Sequence, residues 1–256
     1  MSTAIVHPLA VVAPDVELGD GAAVGPFAVI EPGVVVGEGT RIDAHAIVRA
    51  GTRLGARNVV HPFAVLGGEP QERGYAGEPT RLVVGDGNTF REHVTVHRGS
   101  VKGGGLTCIG HGSLFMAGVH VAHDCVIGDR LELANGTLLA GHVTLGDGVV
   151  TGGGVAIAPF VRVGARAFLA AGSMVERDVP PFVIAAGDRA RVRALNQVGL
   201  ARGDVPEASR AALGRAFRAI FRGELPRAVA AGALVDDPDP CVRELAAFVV
   251  EAARAG

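Results

Sequence analysis

The chain has 256 residues, 48% of them hydrophobic, and a formal net charge of −2, with one tyrosine and no tryptophan. This is enough chain for a hydrophobic core, whereas the weak negative charge and the few aromatic residues argue against nucleic-acid binding. There is no secretory leader and no apolar run of roughly twenty residues, and the three cysteines form no disulfide framework, so we expect a cytoplasmic protein without a membrane span.

Aliphatic residues recur at every sixth position from Val6 to Leu66 without an exception. The residue four places later in each hexad is almost always small, and glycine-rich turns such as Gly19-Asp20-Gly21 lie between hexads. A short strand followed by a corner, repeated on three faces, gives a coil of roughly 18 residues. The repeat therefore predicts a parallel β-helix whose stacked coils bury one apolar column.

Two interruptions of the repeat predict loops that leave the helix. Residues 68–81 have no inward aliphatic residue at the expected positions. Residues 99–107 shift the frame by one position and contain Gly103-Gly104-Gly105, which cannot be a packed strand.

After the second loop the frame continues from Ile109 to Val175, with Thr151 as its one polar position. We expect the β-helix to end near Asp178, because Pro180-Pro181 cannot extend a ladder. The predicted β-helical domain therefore covers residues 1–186.

Residues 187–256 are predicted to form a small α-helical domain. Pro206 and Pro240 each open a segment with helical spacing of apolar residues. These residues are Leu213, Phe217, Ile220 and Phe221 in the first segment, and Val242, Leu245, Ala246 and Val249 in the second.

The charge is uneven along the chain. Residues 187–227, here called the basic collar, hold 9 basic and 4 acidic residues, whereas residues 1–186 hold 13 and 17. The collar is either a solvated helical surface or a docking surface for an acidic partner.

Four histidines, His97, His120, His123 and His142, lie in the coils on either side of the second loop. Gly141 follows His123 by one coil, so we expect it to stack next to His123 at strand spacing, with His142 beside it. Such a cluster could bind zinc, as in β-helical carbonic anhydrases. An imidazole followed by the Asp124 carboxylate, with a backbone N–H one strand away, instead favours acyl transfer by a general base and no metal.

Five motifs occur in order along the chain. They are Tyr75-Ala76-Gly77-Glu78-Pro79-Thr80-Arg81, Val94-Thr95-Val96-His97-Arg98-Gly99, His120-Val121-Ala122-His123-Asp124-Cys125, Leu139-Ala140-Gly141-His142-Val143 and Asp178-Val179-Pro180-Pro181-Phe182-Val183-Ile184-Ala185. Through them the chain resembles the UDP-N-acetylglucosamine acyltransferases of lipid A biosynthesis, from the first hexad to about residue 203.

The resemblance implies a left-handed β-helix, although crossover connections are nearly always right-handed, assembled as a homotrimer with active sites between subunits. It implies transfer of a 3-hydroxyacyl chain from acyl carrier protein to the 3-position of UDP-N-acetylglucosamine. The carrier thioester is then the donor, no cofactor is expected, and the basic collar is the docking surface for the acidic carrier.

The resemblance also implies residue roles. His123 matches the general base, Asp124 the carboxylate that orients it, and Gly141 the N–H that stabilises the oxyanion. His120 and His142 match substrate-binding histidines.

Further positions match the binding of the two substrates. Glu72 and His97 are expected to bind substrate, and Asn196 and Arg202 are expected to contact its UDP portion. Ala171 matches the small residue that sets acyl length at the floor of the acyl groove, where one methyl group changes specificity by about 1–3 kcal/mol at most.

Three positions depart from the family pattern. Gly74 replaces a lysine, Ala158 a histidine and Gly203 a second basic residue. The acceptor is therefore either the 3-hydroxyl sugar or a 3-amino analogue, and a non-catalytic scaffold that binds a nucleotide sugar and the carrier protein is a further hypothesis. The related N-acyltransferase carries a domain ahead of its helix, whereas the hexads here begin at residue 6.

Overall fold

The computed structural model describes residues 3–255 and contains a three-sided β-helix followed by four α-helices. Its strands form three sheets of 11, 9 and 8 strands, in which the strands of successive coils pair in parallel. Arg41–Ile42, for example, pairs in parallel with Ala23–Val24 and with Val59–Val60. This is the predicted parallel β-helix.

Each sheet forms one face of the prism. The first face contains Ile5–Val6, Ala23–Val24, Arg41–Ile42, Val59–Val60, Thr89–Phe90, Leu114–Phe115, Glu132–Leu133, Val150–Thr151, Phe168–Leu169, Val183–Ala186 and Arg191–Leu195. The second contains Val11–Val12, Val29–Ile30, Ile47–Val48, Val65–Gly68, Thr95–His97, His120–Val121, Leu138–Leu139, Ala156–Ile157 and Met174–Val175. The third contains Glu17–Leu18, Val35–Val36, Thr52–Leu54, Arg81–Val84, Leu106–Ile109, Val126–Ile127, Thr144–Leu145 and Arg162–Val163.

The inward residues of the hexads form the apolar column, as predicted. They are buried from Val24 onward, whereas Val6 is 42% exposed because it belongs to the uncovered terminal coil. The one polar position is satisfied inside the column: Thr151 Oγ1 lies 2.7 Å from Thr137 Oγ1 and accepts a hydrogen bond from the N–H of Ala134. A buried hydroxyl with partners is tolerated in a core.

The faces meet at three corners. The first corner joins the first face to the second, the second corner joins the second face to the third, and the third corner joins the third face to the first. Both loops project from the second corner, where residues 69–80 and 98–105 leave the coils. They are slightly shorter than the predicted 68–81 and 99–107, because Arg81 pairs with Leu106 and so extends the ladder into both predicted loops.

The β-helix does not end at Asp178 as predicted. Val183–Ala186 adds a further parallel strand next to Phe168–Leu169, and Arg191–Leu195 closes that sheet as an antiparallel strand. Pro180-Pro181 is tolerated because it lies at the third corner, where no N–H is needed for a ladder.

Four helices follow: α1 (Gln197–Arg202), α2 (Glu207–Arg222), α3 (Arg227–Gly232) and α4 (Pro240–Ala255). Both predicted helical segments are confirmed, since α2 buries Leu213 and Phe217 and α4 buries Leu245. The domain division at residue 186 stays a prediction. Within residues 3–255, no helix combines the length and the apolar character that crossing a membrane requires.

Candidate active site

His123 lies at the second corner and is held by the carboxylate that follows it. Its Nδ1 is 2.7 Å from Oδ2 of Asp124, whose side chain is only 1% exposed. Asp124 adopts a φ of +61°, a left-handed conformation that aspartate tolerates better than most residues, and its N–H donates to Oγ1 of Thr107. An Nδ1–H donated to the carboxylate leaves Nε2 free to accept a proton.

The second loop fixes the carboxylate of Asp124. Ser100 donates to it twice, through its N–H at 2.8 Å and its hydroxyl at 2.7 Å. A Cβ at Gly103 would overlap the carboxylate, so the close approach of this loop requires glycine. Neither Ser100 nor Gly103 was among the site residues predicted from the sequence, although the run of three glycines indicated an unusual loop.

Gly141 stacks against His123, as the one-coil spacing predicts. A Cβ built on Gly141 would lie 2.7 Å from Cε1 and 3.0 Å from Nε2 of the imidazole. The N–H of Gly141 has no hydrogen-bond acceptor in the part of the chain that the structure describes, although the residue is buried. A buried, unpaired N–H is costly unless a ligand satisfies it.

His142 lies beside this pair. Its ring is 5.3 Å from that of His123 in an edge-to-face arrangement, and its Nε2 is 3.7 Å from Oδ2 of Asp124. The ring of Phe160 stacks on the imidazole of His142, with the ring centroids 4.4 Å apart. His142 therefore presents a second imidazole to the same corner.

His123, Asp124 and His142 also form a group that could hold a metal ion, since one ligand atom from each lies within 4.8 Å of the others. However, both oxygens of Asp124 already accept hydrogen bonds from Ser100, and Oδ2 is also bonded to His123. This donor set is arranged as an oriented imidazole and carboxylate pair. The absence of a metal requirement stays a prediction.

His97 and His120 lie on the second face next to this corner. Their rings are 5.2 Å apart, Nδ1 of His97 donates to the carbonyl of Glu69, and Nδ1 of His120 is hydrogen-bonded to Oγ1 of Thr95 at 2.8 Å. Burial is the main cause that lowers the pKa of both imidazoles. Both are therefore neutral at neutral pH and can bind polar substrate groups without carrying charge.

A cavity of about 410 Å³ opens at the second corner. It is lined by Glu72, Ser100, Lys102, His123, Gly141, His142, Pro159 and Phe160. Glu72, from the first loop, therefore joins the predicted catalytic residues. Lys102 pairs with Glu72 and was not identified from the sequence.

Asn196 and Arg202 lie elsewhere. They line a second cavity, of about 690 Å³, between α1 and the first face. The amide of Asn196 caps α1 by accepting from the N–H of Gly199 at 3.0 Å and donates to the carbonyl of Arg166 at 2.9 Å. Within one chain the structure does not bring these two residues to His123.

Ala171 is at the first corner, in the turn between Phe168–Leu169 and Met174–Val175. This turn lies three coils beyond the one that precedes His120–Val121, a rise of about 14 Å at strand spacing. The predicted site residues therefore fall into three groups on one chain, around His123, around α1 and at Ala171.

Comparisons with known proteins give a consistent family. Residues 178–256 match the family model described as UDP N-acetylglucosamine O-acyltransferase, domain 2, and residues 33–68 match the bacterial transferase hexapeptide model of six repeats. The acyl-[acyl-carrier-protein]–UDP-N-acetylglucosamine O-acyltransferase of Halorhodospira halophila is 52% identical over 85% of this chain and 84% of its own length. The enzyme of that name from Herminiimonas arsenicoxydans is 41% identical over 96% of both chains.

Solved structures agree with the sequence matches. The UDP-N-acetylglucosamine acyltransferase of Campylobacter jejuni has a TM-score of 0.92 and 34% identity, over 96% of both chains. A structure from Acinetobacter baumannii has a TM-score of 0.92 and 32% identity, over 96% of this chain and 97% of that one. The left-handed β-helix of hexapeptide repeats with C-terminal helices is thereby confirmed.

Proposed function

Because the chain belongs to the acyl-[acyl-carrier-protein]–UDP-N-acetylglucosamine O-acyltransferases, we propose that it transfers a 3-hydroxyacyl chain from acyl carrier protein to the 3-position of UDP-N-acetylglucosamine, the first step of lipid A biosynthesis. One observation carries the chemistry. His123 is oriented by Asp124 at 2.7 Å and packs against Gly141 of the next coil, whose N–H has no acceptor within the described residues.

The reaction follows from these three groups. Nε2 of His123 takes the proton of the sugar 3-hydroxyl as the oxygen attacks the thioester carbonyl. The N–H of Gly141 donates to the oxyanion that forms, and Asp124 stabilises the imidazolium through Nδ1–H. The attack forms the C–O bond of a tetrahedral intermediate. Collapse of this intermediate restores the carbonyl of the ester and breaks the C–S bond, and the imidazolium passes its proton to the thiolate of the carrier.

The surrounding residues are proposed to bind substrate. His142 and His120 offer imidazole nitrogens within the second corner and on the second face, and His97 offers the nitrogen that is not bonded to Glu69. Glu72 lines the cavity and can accept from a sugar hydroxyl. These groups position the acceptor against His123.

We further propose a homotrimer whose active sites lie between subunits. Asn196 and Arg202 line a cavity on a different side of the prism from His123, so their predicted contact with the UDP portion requires a neighbouring chain. A three-fold arrangement of prisms would bring the α1 region of one subunit to the second corner of the next.

Donor recognition is proposed to depend on two further features. Ala171, at the first corner, would bound the acyl groove of the assembled site. The basic collar would bind the acidic carrier through long-range charge attraction. The thioester of the carrier supplies the acyl group, so no further cofactor enters the proposal. The three thiols are unpaired, which supports a cytoplasmic location.

A 3-amino analogue of the sugar is the second candidate acceptor. Ala158 and Gly74 stand where the family has a histidine and a lysine, and altered contacts near the acceptor favour a different sugar. The same general base would serve, because an amine also loses a proton when it attacks a thioester.

The test is to incubate purified protein with UDP-N-acetylglucosamine, or with its 3-amino analogue, and a panel of 3-hydroxyacyl carrier proteins of different lengths. Mass spectrometry then identifies the products. An O-acylated sugar from one donor supports the proposal and gives the acyl length. An N-acylated product from the analogue alone favours the second candidate, and no product with any pair contradicts both.

A further inference from the structure

Lys102 is the only lysine in the chain, which has 24 lysine and arginine residues in total. Its side chain is 76% exposed and lines the cavity of His123. It is also the only lysine or arginine that lines this cavity within the described residues. A permanent positive charge therefore stands at the mouth of the proposed active site.

The backbone of Lys102 is fixed relative to the general base. Lys102 lies in a short 3-10 turn, Val101–Gly103, which Ser100 caps by accepting from the N–H of Gly103. Ser100 and Gly103 both contact the carboxylate of Asp124, the group that orients His123. The same carboxylate thus positions both the imidazole and the turn that carries the lysine.

Glu72 holds the ammonium group in place. The two side chains form a hydrogen-bonded ion pair, which raises the pKa of Lys102 and lowers that of Glu72. An ammonium group has three donors, so after pairing with Glu72 it keeps two for a ligand. The pair carries no net charge, but it holds the ammonium group in place with donors free for a ligand.

The position of Lys102 also accounts for one departure from the family pattern. A Cβ built on Gly74 would lie 3.4 Å from Nζ of Lys102 and 3.7 Å from the carboxylate of Glu72. The ammonium group thus occupies the space into which a side chain at position 74 would extend. The positive charge that position 74 lacks is supplied at the same place by the second loop.

We infer that Lys102 is a phosphate-binding residue of the acyl-transfer site, replacing a cation of the first loop. The inference rests on the proposed function, since both of its substrates carry phosphate esters: the diphosphate of the nucleotide sugar and the phosphodiester of the carrier's phosphopantetheine arm. Lysine binds phosphate as a compact point charge. Both substrates offer a phosphate group to the ammonium, and the experiments below distinguish the nucleotide diphosphate from the phosphopantetheine.

Steady-state kinetics give the first test. Lys102→Met should raise the KM of one substrate about tenfold with a much smaller change in kcat, because an interaction made equally in ground and transition states acts on KM. Lys102→Arg should retain most of the affinity. Gly74→Lys introduced into Lys102→Met should restore it, since the new side chain extends into the vacated space.

Arg73→Gln is the matched control, because Arg73 is an exposed cation of the first loop that does not line the cavity. It should leave both KM values unchanged. The substrate whose KM rises in Lys102→Met identifies the phosphate. Unchanged KM values for both substrates, or a fall in kcat alone, would overturn the inference.

Chemical labelling gives a second readout that needs no turnover and no variant. The single lysine can be acetylated with an N-hydroxysuccinimide ester and followed on its peptide by mass spectrometry. Protection by UDP-N-acetylglucosamine assigns the nucleotide diphosphate, and protection by holo-acyl carrier protein assigns the phosphopantetheine. Equal labelling with and without both substrates refutes phosphate binding even if acyl transfer is observed, whereas protection without any acylated product refutes the proposed reaction and leaves the binding site.

Discussion

At the scale of single residues, the proposed site combines a buried group whose hydrogen bonds are all made and a buried group that has no partner among the described residues. The carboxylate of Asp124 is almost fully buried and accepts from Ser100 and His123. The N–H of Gly141 is buried without an acceptor within the described chain. A fully bonded carboxylate is rigid, whereas an unpaired N–H next to the imidazole is available for the charge that forms during acyl transfer.

The buried imidazole of His120 predicts a pH dependence of stability. Burial lowers the pKa of His120 in the folded chain below the ordinary histidine value of 6.5. Below about pH 6.5 the unfolded chain therefore binds more protons than the folded chain. The stabilising contribution is complete above that pH and is lost as the pH falls through the folded-state pKa.

The measurement is thermal unfolding between pH 7 and pH 5. His120→Gln should lose less stability over this range than the wild type, seen as a smaller fall in Tm. His7→Gln, at an exposed histidine, should follow the wild type. Equal slopes for His120→Gln and wild type would show that His120 does not titrate differently in the two states.

The residue-scale geometry could be predicted only where the repeat determines it. Gly141 follows His123 by one coil, so their stacking could be read from the sequence. The contacts of Ser100 and the ion pair of Glu72 with Lys102 could not, because they join two loops that do not follow the hexad period. Loop residues far apart in sequence carry no periodic signal of their contacts.

At the scale of elements, the second loop contacts the carboxylate that orients His123 and also carries the lysine of the cavity. The 3-10 turn Val101–Gly103 packs on Asp124 and places Lys102 in the cavity, and the first loop brings Glu72 to it. Both loops leave the β-helix at the second corner, so they cover the same edge of the prism. The two interruptions of the repeat are therefore part of the proposed active site.

Gly103→Ala tests this role of the loop. The new methyl group would overlap the Asp124 carboxylate, so either the carboxylate or the turn must move. Because displacement of about 1 Å can cost roughly 10²-fold in rate, we expect a fall of that order in kcat.

Val101→Ala is the control, since Val101 is in the same turn but 60% exposed. It should retain the wild-type kcat. A wild-type rate in Gly103→Ala, with the β-helix intact by circular dichroism, would show that the contact of the loop with Asp124 does not determine the rate.

Regular elements were more predictable than their ends. The hexads predicted the strands because each inward aliphatic residue has to meet the column, and the spacing of Leu213 and Phe217 predicted α2. The predicted end of the β-helix was wrong because Pro180-Pro181 lies at a corner, where the backbone does not have to donate a hydrogen bond to a neighbouring strand. Helices α1 and α3 are too short, at six residues each, to show a clear helical period.

At the scale of the whole molecule, a three-sided prism separates the proposed substrate contacts. His123 and Lys102 line one cavity, and Arg202 lines another between α1 and the first face. A single chain therefore holds these residues in two separate cavities. The homotrimer is proposed because it would combine these parts from neighbouring subunits.

Mixed trimers test this arrangement. We expect His123→Ala and Arg202→Ala to have low activity as homotrimers, because each damages every site. In every mixed trimer, one of the three sites takes His123 from an Arg202→Ala chain and Arg202 from a His123→Ala chain, so the mixed assemblies should recover about a third of the wild-type activity.

The co-expressed chains carry different affinity tags, and tandem purification selects the mixed assemblies. A double variant, His123→Ala with Arg202→Ala, mixed with wild type gives the comparison in which the two changes reside on one chain. Activity of the mixed trimers no greater than the mean of the two homotrimers would place both residues in a site built within one subunit.

The most direct test of His123 as the general base is the single-turnover rate of acyl transfer in His123→Ala beside the wild type, with the assembly state of both proteins compared by native mass spectrometry. We expect the rate to fall by about 10² to 10⁴, the usual contribution of a positioned general base, while the Kd for UDP-N-acetylglucosamine changes little. A variant that assembles normally and transfers the acyl chain at the wild-type rate would contradict the assignment of His123 as the base.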